Sequence, residues 1–326
     1  MESQQVPQLR SKNIALNDFH RETGDEIVQV IGKELKEYLV RKLKDNETLE
    51  IEAKIGVIMP AKDIDPSEPF YSIFYTPHGL IMPDQKWNGR NLYYFNPGVS
   101  KEKFDLLIQI FSKECERRLA SVPTDVDEKQ IGHYKQEYCI KDLGERKTID
   151  RMFSDGVRST YSSTNELIEN LKKHKYKHIN YFNKGRDYRI SISVEEKCEG
   201  TTSHKITNTR HKRRRSFQFK WMKFEFTETV EENFKGEKAL PVYEIELEIC
   251  DNKFFNQPHL EVYMRLVERF IHNIDSLIVA LNEGEELFFD TFCKPEFDNC
   301  YKEQYGEVLP VVGDYLSIKA FDNKII

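Results

Sequence analysis

The chain has 326 residues, 39% of them hydrophobic and 32% charged, with a formal net charge of −6. That length can bury a sizeable core, and the acidic balance gives no reason to expect duplex DNA as a partner. The six cysteines form no CxxC pair or disulfide-framework spacing and no apolar run approaches the ~20 residues of a membrane span, which points to a reducing intracellular compartment and away from the membrane.

Residues 1–24 are polar and patternless and read as a flexible tail. No Gly/Ser linker, internal repeat or low-complexity run divides the remainder, so residues 25–326 read as a single domain. From Asp25 the spacing of Ile27, Val30, Ile31, Leu35, Tyr38, Leu39 and Leu43 predicts an amphipathic helix. It leads into Leu49-Glu50-Ile51-Glu52-Ala53-Lys54-Ile55, where period-two alternation puts Glu50, Glu52 and Lys54 on one face of a strand and the apolar residues on the other. Residues 60–97, rich in proline, glycine and aromatic side chains, read as an irregular connection with one short strand, in which Trp87 and Tyr93-Tyr94-Phe95 are half-buried or offered to a partner. A helix is predicted over residues 100–119, with Ser100 as N-cap and Phe104, Leu107, Ile108 and Phe111 along one side.

Residues 130–163 alternate in short β-like runs, including 133–140 and 156–161. A further run, 188–195, places Arg189, Ser191, Ser193 and Glu195 on one face. Arg210, Lys212 and Arg214 share a face in the next strand-like segment, which continues into one carrying Lys223, Glu225 and Thr227. The basic run Lys212-Arg213-Arg214-Arg215 can equally be read as a nuclear-localisation patch. Residues 243–249 repeat the alternation with Glu244, Glu246 and Glu248 in a row, and residues 260–281 carry the broad apolar stripe of a well-buried helix. Residues 284–326 hold no assignable motif.

At least five strands thus have one charged or hydroxylated face and one apolar face. An open sheet would turn the charged faces to water, whereas a closed antiparallel barrel would enclose them and turn the apolar faces out against the helices. Same-face neighbours on a strand lie roughly 7 Å apart, so rows of carboxylates raise one another's pKa unless something positive lies between them. A lumen lined by these glutamates and by Arg158, Arg210, Lys212 and Arg214 is stable only if its charges are paired, hydrated or bound to ligand. A divalent metal on the acidic side and a polyphosphate on the basic side would meet that demand together. No Walker loop, HExxH, GxSxG or dinucleotide fingerprint offers another chemistry.

Glu50-x-Glu52-x-Lys54, Val157-Arg158-Ser159-Thr160-Tyr161, Asp187-Tyr188-Arg189-Ile190-Ser191, Arg210-x-Lys212-x-Arg214-x-Ser216-Phe217 and Glu244-x-Glu246-x-Glu248 follow one another over residues 27–280. In that order they resemble the motifs of the triphosphate tunnel metalloenzymes, and most nearly the fungal-type RNA 5′-triphosphatases, the beta subunits of mRNA-capping enzymes. The resemblance implies an α+β fold: a closed eight-stranded antiparallel β-barrel, the triphosphate tunnel, with helices packed on the outside. It implies hydrolysis of the γ-phosphate of triphosphate-ended nascent mRNA to a diphosphate end, the first step of 5′ capping, with Mg²⁺ or Mn²⁺ as cofactor.

Carried over by residue, Glu50, Glu52 and Glu248 would ligate the metal, with Glu244 and Glu246 in support. Arg158, Lys212 and Arg214 would hold the γ-phosphate, Arg210 would bind on the substrate side while pairing with a wall carboxylate, and Glu195 would orient or deprotonate the attacking water. Lys223-x-Glu225-x-Thr227 stands where the family has Arg-x-Asp-x-Thr, which makes Lys223 a substrate-side cation and Glu225 a support. One more tunnel lysine is expected, with Lys172, Lys173, Lys175 and Lys177 as candidates. The resemblance further implies a homodimer in the nucleus. The Trp-Ala-Gln-Lys-Trp peptide by which budding-yeast members dock guanylyltransferase is not in this sequence, which leaves a separate mRNA guanylyltransferase, or recruitment through the phosphorylated RNA polymerase II tail. The alternatives are a tunnel-class tripolyphosphatase or nucleoside triphosphatase, and a non-catalytic module that binds polyphosphate or phosphopeptide. That module would keep the basic strand without needing the glutamates together.

Overall fold

A computed structural model describes residues 20–21, 24–39, 43–62, 80–82, 86–87, 90–124, 127–182, 187–199, 204–250 and 260–283. Residues 284–326, most of the expected tail, and the side chains of Asp25, Tyr38, Leu39, Trp87 and Val262 lie outside the described residues.

Eight long strands make the body of the protein: β1 (Glu47–Pro60), β2 (Lys141–Phe153), β3 (Val157–Ser162), β4 (Leu167–Phe182), β5 (Asp187–Lys197), β6 (Ile206–Phe219), β7 (Met222–Asn233) and β8 (Val242–Ile249). Each is hydrogen-bonded antiparallel to two neighbours in the order β4-β5-β1-β8-β7-β6-β2-β3, and β3 pairs again with β4, so the sheet closes. Of the two arrangements open to the alternating strands, the closed barrel is the one formed.

Closure explains the alternation. On β1 Leu49, Ile51, Ala53 and Ile55 are buried outside the barrel wall, as are Ile190, Ile192 and Val194 on β5 and Ile245, Leu247 and Ile249 on β8. Helices α1 (Gly24–Leu39), α2 (Lys101–Ala120) and α4 (Leu260–Glu283) cover these surfaces with Ile31, Leu35, Leu107, Ile110, Val267, Phe270 and Ile274, all essentially inaccessible. The tightest seam is aromatic: Phe111 of α2 sits with its ring centre 4.9 Å from Phe224, 5.2 Å from Phe217 and 5.4 Å from Phe226. As expected, the Ser100 side chain caps α2, accepting from the Lys103 amide.

Two local expectations are corrected. Residues 133–140 do not form a strand: α3 (Glu128–Tyr138) occupies most of them, begun by a capping box in which Asp127 and Gln130 satisfy each other's backbone amides. The described parts of residues 60–97 hold four short strands, Leu80–Met82, Lys86–Trp87, Arg90–Asn91 and Tyr93–Pro97, the last paired with the end of β1. Within them Tyr93 and Phe95 are buried while Tyr94 is exposed. His20–Arg21, in the segment read as tail, pairs with the Leu80–Met82 strand. Among the described residues no helix is long and apolar enough to cross a membrane.

Phe111→Ala removes the ring on which the Phe217, Phe224 and Phe226 edges converge, and should lower the free energy of unfolding by about 3–5 kcal/mol in urea titrations. A loss under ~1 kcal/mol would mean that α2 does not clamp β6 and β7.

Candidate active site

The inward faces of the eight strands enclose a cavity of about 900 Å³. It gathers every site residue expected from the sequence: Glu50 and Glu52, Arg158, Glu195, Arg210, Lys212 and Arg214, Lys223 and Glu225, and Glu244, Glu246 and Glu248. The charges are sorted by strand. β1 and β8 are neighbours and bring the glutamates together, with Glu52 directly opposite Glu248 and Lys54 opposite Glu246. Arg158 of β3 and Lys212 and Arg214 of β6 flank β2 across the lumen.

Most of these groups are paired. Lys54 forms an ion pair with Glu246 and lies 3.7 Å from Glu52. Arg214 reaches Glu225 at 2.6 Å and Glu246 at 3.8 Å. Lys223 bridges Glu248 and, at 3.2 Å, Glu225. Arg158 pairs with Glu195 at 2.9 Å, yet its Nε is buried with no hydrogen-bond partner. Arg210 stands apart: it pairs with Glu231 at 2.8 Å, and both side chains are more than 40% exposed, which places it at the rim.

Two members of the site were not legible as such. Of the four candidates for the tunnel lysine, Lys173 and Lys175 line the cavity; Lys173 pairs with Glu50 and, at 3.2 Å, with Glu52, while Lys177 reaches outward to Glu34 of α1 at 2.9 Å. Asp150 of β2 is 3% exposed, accepts a hydrogen bond from Thr160 at 2.9 Å and pairs with Lys212 at 2.7 Å. Its only sequence signal is one carboxylate in a segment of mixed polarity.

Burial and neighbouring charges shift several of these groups from their ordinary pKa values. Burial and the neighbouring Glu246 push the Glu52 carboxyl up to about 7 in spite of Lys54 and Lys173. Burial also raises Glu248 above the usual carboxylate range against the pull of Lys223, whereas Glu50 is held low despite burial by Lys173 and Ser193. On the opposite wall burial, with Arg214 and Arg158 close by, lowers the Lys212 ammonium even though Asp150 faces it. Burial thus disfavours the anionic form on the acidic wall and the cationic form on the basic one.

Among the described residues no three carboxylate, imidazole or thiolate groups are drawn tightly around one point. Lys173 and Lys223 stand against the three glutamates expected to ligate metal. The donor set nevertheless fits a hard divalent cation: carboxylate oxygens only, from two adjacent strands, two of them destabilised as anions by burial.

Glu246 is the charge on which the acidic wall turns. Burial opposes its ionisation, but Lys54 and Arg214 outweigh it and hold the carboxyl down at about 2. Because the folded value lies below the unfolded one, the stability it contributes is present above about pH 4.5 and is lost as the pH falls toward about 2. Glu246→Ala should cost about 3–5 kcal/mol at neutral pH by leaving buried cations unpaired, and Lys54→Met in the same chain should recover part of that loss. Chemical denaturation of the single and double variants between pH 3 and pH 7 reads both effects; equal stability of Glu246→Ala and wild type would refute the pairing.

No curated protein matches the chain by sequence at a significant level. Solved structures that share its fold include two of one enzyme. The RNA triphosphatase Pct1 of S. pombe superposes with a TM-score of 0.57 at 15% identity, covering 77% of this chain and 92% of that one. The same enzyme in complex with the Spt5 CTD superposes with a TM-score of 0.60 at 17% identity, covering 77% and 93%. The profile of the family described as "mRNA capping enzyme, beta chain" matches residues 21–283. The chain belongs to that family and is an mRNA-capping RNA triphosphatase.

Proposed function

We propose that the chain removes the γ-phosphate from the 5′-triphosphate end of nascent mRNA in a reaction that depends on Mg²⁺ or Mn²⁺. The observation that carries this reading is the arrangement of the lumen, in which the glutamates of β1 and β8 face the cations of β3 and β6 across one cavity. A polyphosphate alone would satisfy the basic wall and leave Glu52 and Glu248 facing each other, and a metal alone would do the reverse.

Hydrolysis forms a bond from the water oxygen to the γ-phosphorus and breaks the bond to the β–γ bridging oxygen, with negative charge spread over the equatorial oxygens. Arg158, Lys212 and Arg214 hold those oxygens, and the unpartnered Arg158 Nε is a buried donor ready for one of them. Glu195, in contact with Arg158, lies beside the phosphate so held; burial, then Glu50, raises its pKa and makes it a better base for the attacking water near neutral pH. Asp150 positions Lys212, and Lys173, Lys223, Glu225, Glu244 and Glu246 keep the walls neutralised and the side chains aimed. Arg210 meets the substrate at the rim. Glu50, Glu52 and Glu248 would hold the divalent ion, whose charge draws electron density from the phosphate oxygens.

The reading carries with it a nuclear site of action, a homodimer and recruitment to the transcription machinery. The last is supported by the S. pombe relative solved with the Spt5 CTD.

Release of labelled γ-phosphate from triphosphate-ended RNA, with tripolyphosphate and ATP as competitors, tests the activity. Chelation should abolish release and Mg²⁺ or Mn²⁺ should restore it, while Glu248→Gln and Glu195→Gln each lose about 100-fold or more. Full turnover by either variant would remove it from the proposed machinery, and turnover of tripolyphosphate alone would change the substrate. Asp150→Asn takes away the anion paired with an ammonium already shifted downward, so the alkaline limb of its pH–rate profile should move to lower pH. An unmoved limb with lowered stability would leave Asp150 a purely structural role.

A further inference from the structure

At one end of the lumen lies a group that phosphate chemistry does not require. The inward row of β1 continues from Glu52 and Lys54 to Gly56, where no side chain fits: a Cβ would meet the Asn96 carbonyl oxygen at 2.4 Å and the Phe95 ring at 2.6 Å. Phe95, on the short strand paired with the end of β1, fills that space and lines the cavity. The guanidinium of Arg189 lies 4.7 Å from the centre of the Phe95 ring, and its Nε donates to Asn180 Oδ1 at 2.6 Å. Asn180 is wholly buried and donates to the Tyr93 hydroxyl at 3.2 Å, which in turn donates to the Met82 carbonyl at 3.0 Å. Arg189 is therefore fixed from two sides while it lines the cavity. Beside it His178 Nδ1 and Ser191 Oγ are 3.1 Å apart.

Arg189 stands opposite Lys54 on β1, four residues before Ser193, which stands opposite Glu50. At ~3.3 Å per residue that is roughly 13 Å along the wall from the level of Glu50. A triphosphate whose γ-phosphate is held by Arg158 and Lys212, and whose chain follows the lumen, carries the nucleoside bonded to its α-phosphate toward this end. A guanidinium backed by an aromatic ring and gripped through Nε offers a flat face, which suits a planar heterocycle.

We propose that Arg189, held by Phe95 and Asn180, is the subsite for the 5′-terminal nucleoside, whose base stacks on the guanidinium with His178 and Ser191 at its polar edge. This rests on the triphosphatase reading and extends it from the phosphates to the nucleoside. Inorganic tripolyphosphate lacks the group that the subsite recognises, so the two substrates separate the roles.

The test is steady-state hydrolysis of triphosphate-ended RNA and of tripolyphosphate by wild type and Phe95→Leu, with thermal unfolding of each to register any loss of fold. Leucine keeps the apolar volume and removes the ring that holds the guanidinium flat. Phe95→Leu should raise KM for RNA about tenfold, the scale of one desolvated cation–π contact, and lower the RNA-to-tripolyphosphate ratio of kcat/KM by a similar factor. An equal fall for both substrates, or an unchanged ratio in a variant that folds as wild type, overturns the subsite. Wild-type protein that releases phosphate from neither substrate, or from tripolyphosphate alone, overturns the RNA triphosphatase reading on which the subsite rests.

Discussion

The enclosure of many ionised side chains in one lumen is the constraint on which this structure depends. A buried charge is tolerated only when something of opposite sign replaces the water it has lost. Here the replacement is supplied mostly across strands: Lys54 to Glu246 between β1 and β8, Arg214 to Glu225 between β6 and β7, Lys212 to Asp150 between β6 and β2, and Lys173 to Glu50 between β4 and β1. Each pair needs the register of two strands to be correct, because a one-residue slip would turn a row of charges into the apolar shell. The same pairs that neutralise the lumen thus help to specify how the barrel is assembled.

Pairing is incomplete in a consistent direction. Glu52 and Glu248 stay partly destabilised as anions on one side, and Lys212 as a cation on the other. Structural ion-pair networks also shift such groups, so the geometry decides: the shifted groups line facing walls of one cavity, carboxylates on one side and cations on the other.

Much of this was legible in the chain. Strands whose two faces differ sharply, such as Glu50-x-Glu52-x-Lys54 and Glu244-x-Glu246-x-Glu248, announce their inward residues through period two alone, and the structure gathers them as expected. That Lys173 and Lys175 of β4 enter the lumen while Lys177 does not was illegible for a definite reason. In the run Lys172-Lys173-His174-Lys175-Tyr176-Lys177 a regular strand would put Lys173, Lys175 and Lys177 on one face, but a register shift opposite Ile192 and Ser193 leaves Tyr176 out of the ladder. Beyond it the faces exchange, so Lys177 leaves the tunnel and His178 enters. The segment before β2 misled in the opposite way: its alternating polarity suited a strand, while the Asp127 and Gln130 cap committed it to α3. Asp150 could not be singled out because an isolated carboxylate gains its meaning only from the strand that arrives beside it.

The order of the strands has a consequence for how the chain comes to be folded. β2 to β5 form one meander of neighbouring hairpins and β6 to β8 another, each built from contacts close in sequence. The two join at β2 and β6, and β1, made first, fits between β5 and β8, made last in their meanders. Its ladder with β5 runs from Asp187 opposite Gly56 to Glu196 opposite Glu47, but that with β8 only from Glu246 opposite Lys54 to Glu248 opposite Glu52. During synthesis one edge of the acidic strand can pair with β5, but its other edge stays open until residues beyond 240 have emerged, and long-range closure of this kind is slow to form. The glutamates that would otherwise oppose burial keep this waiting segment soluble, so the charge that equips the finished tunnel also guards its unfinished edge against association with other chains.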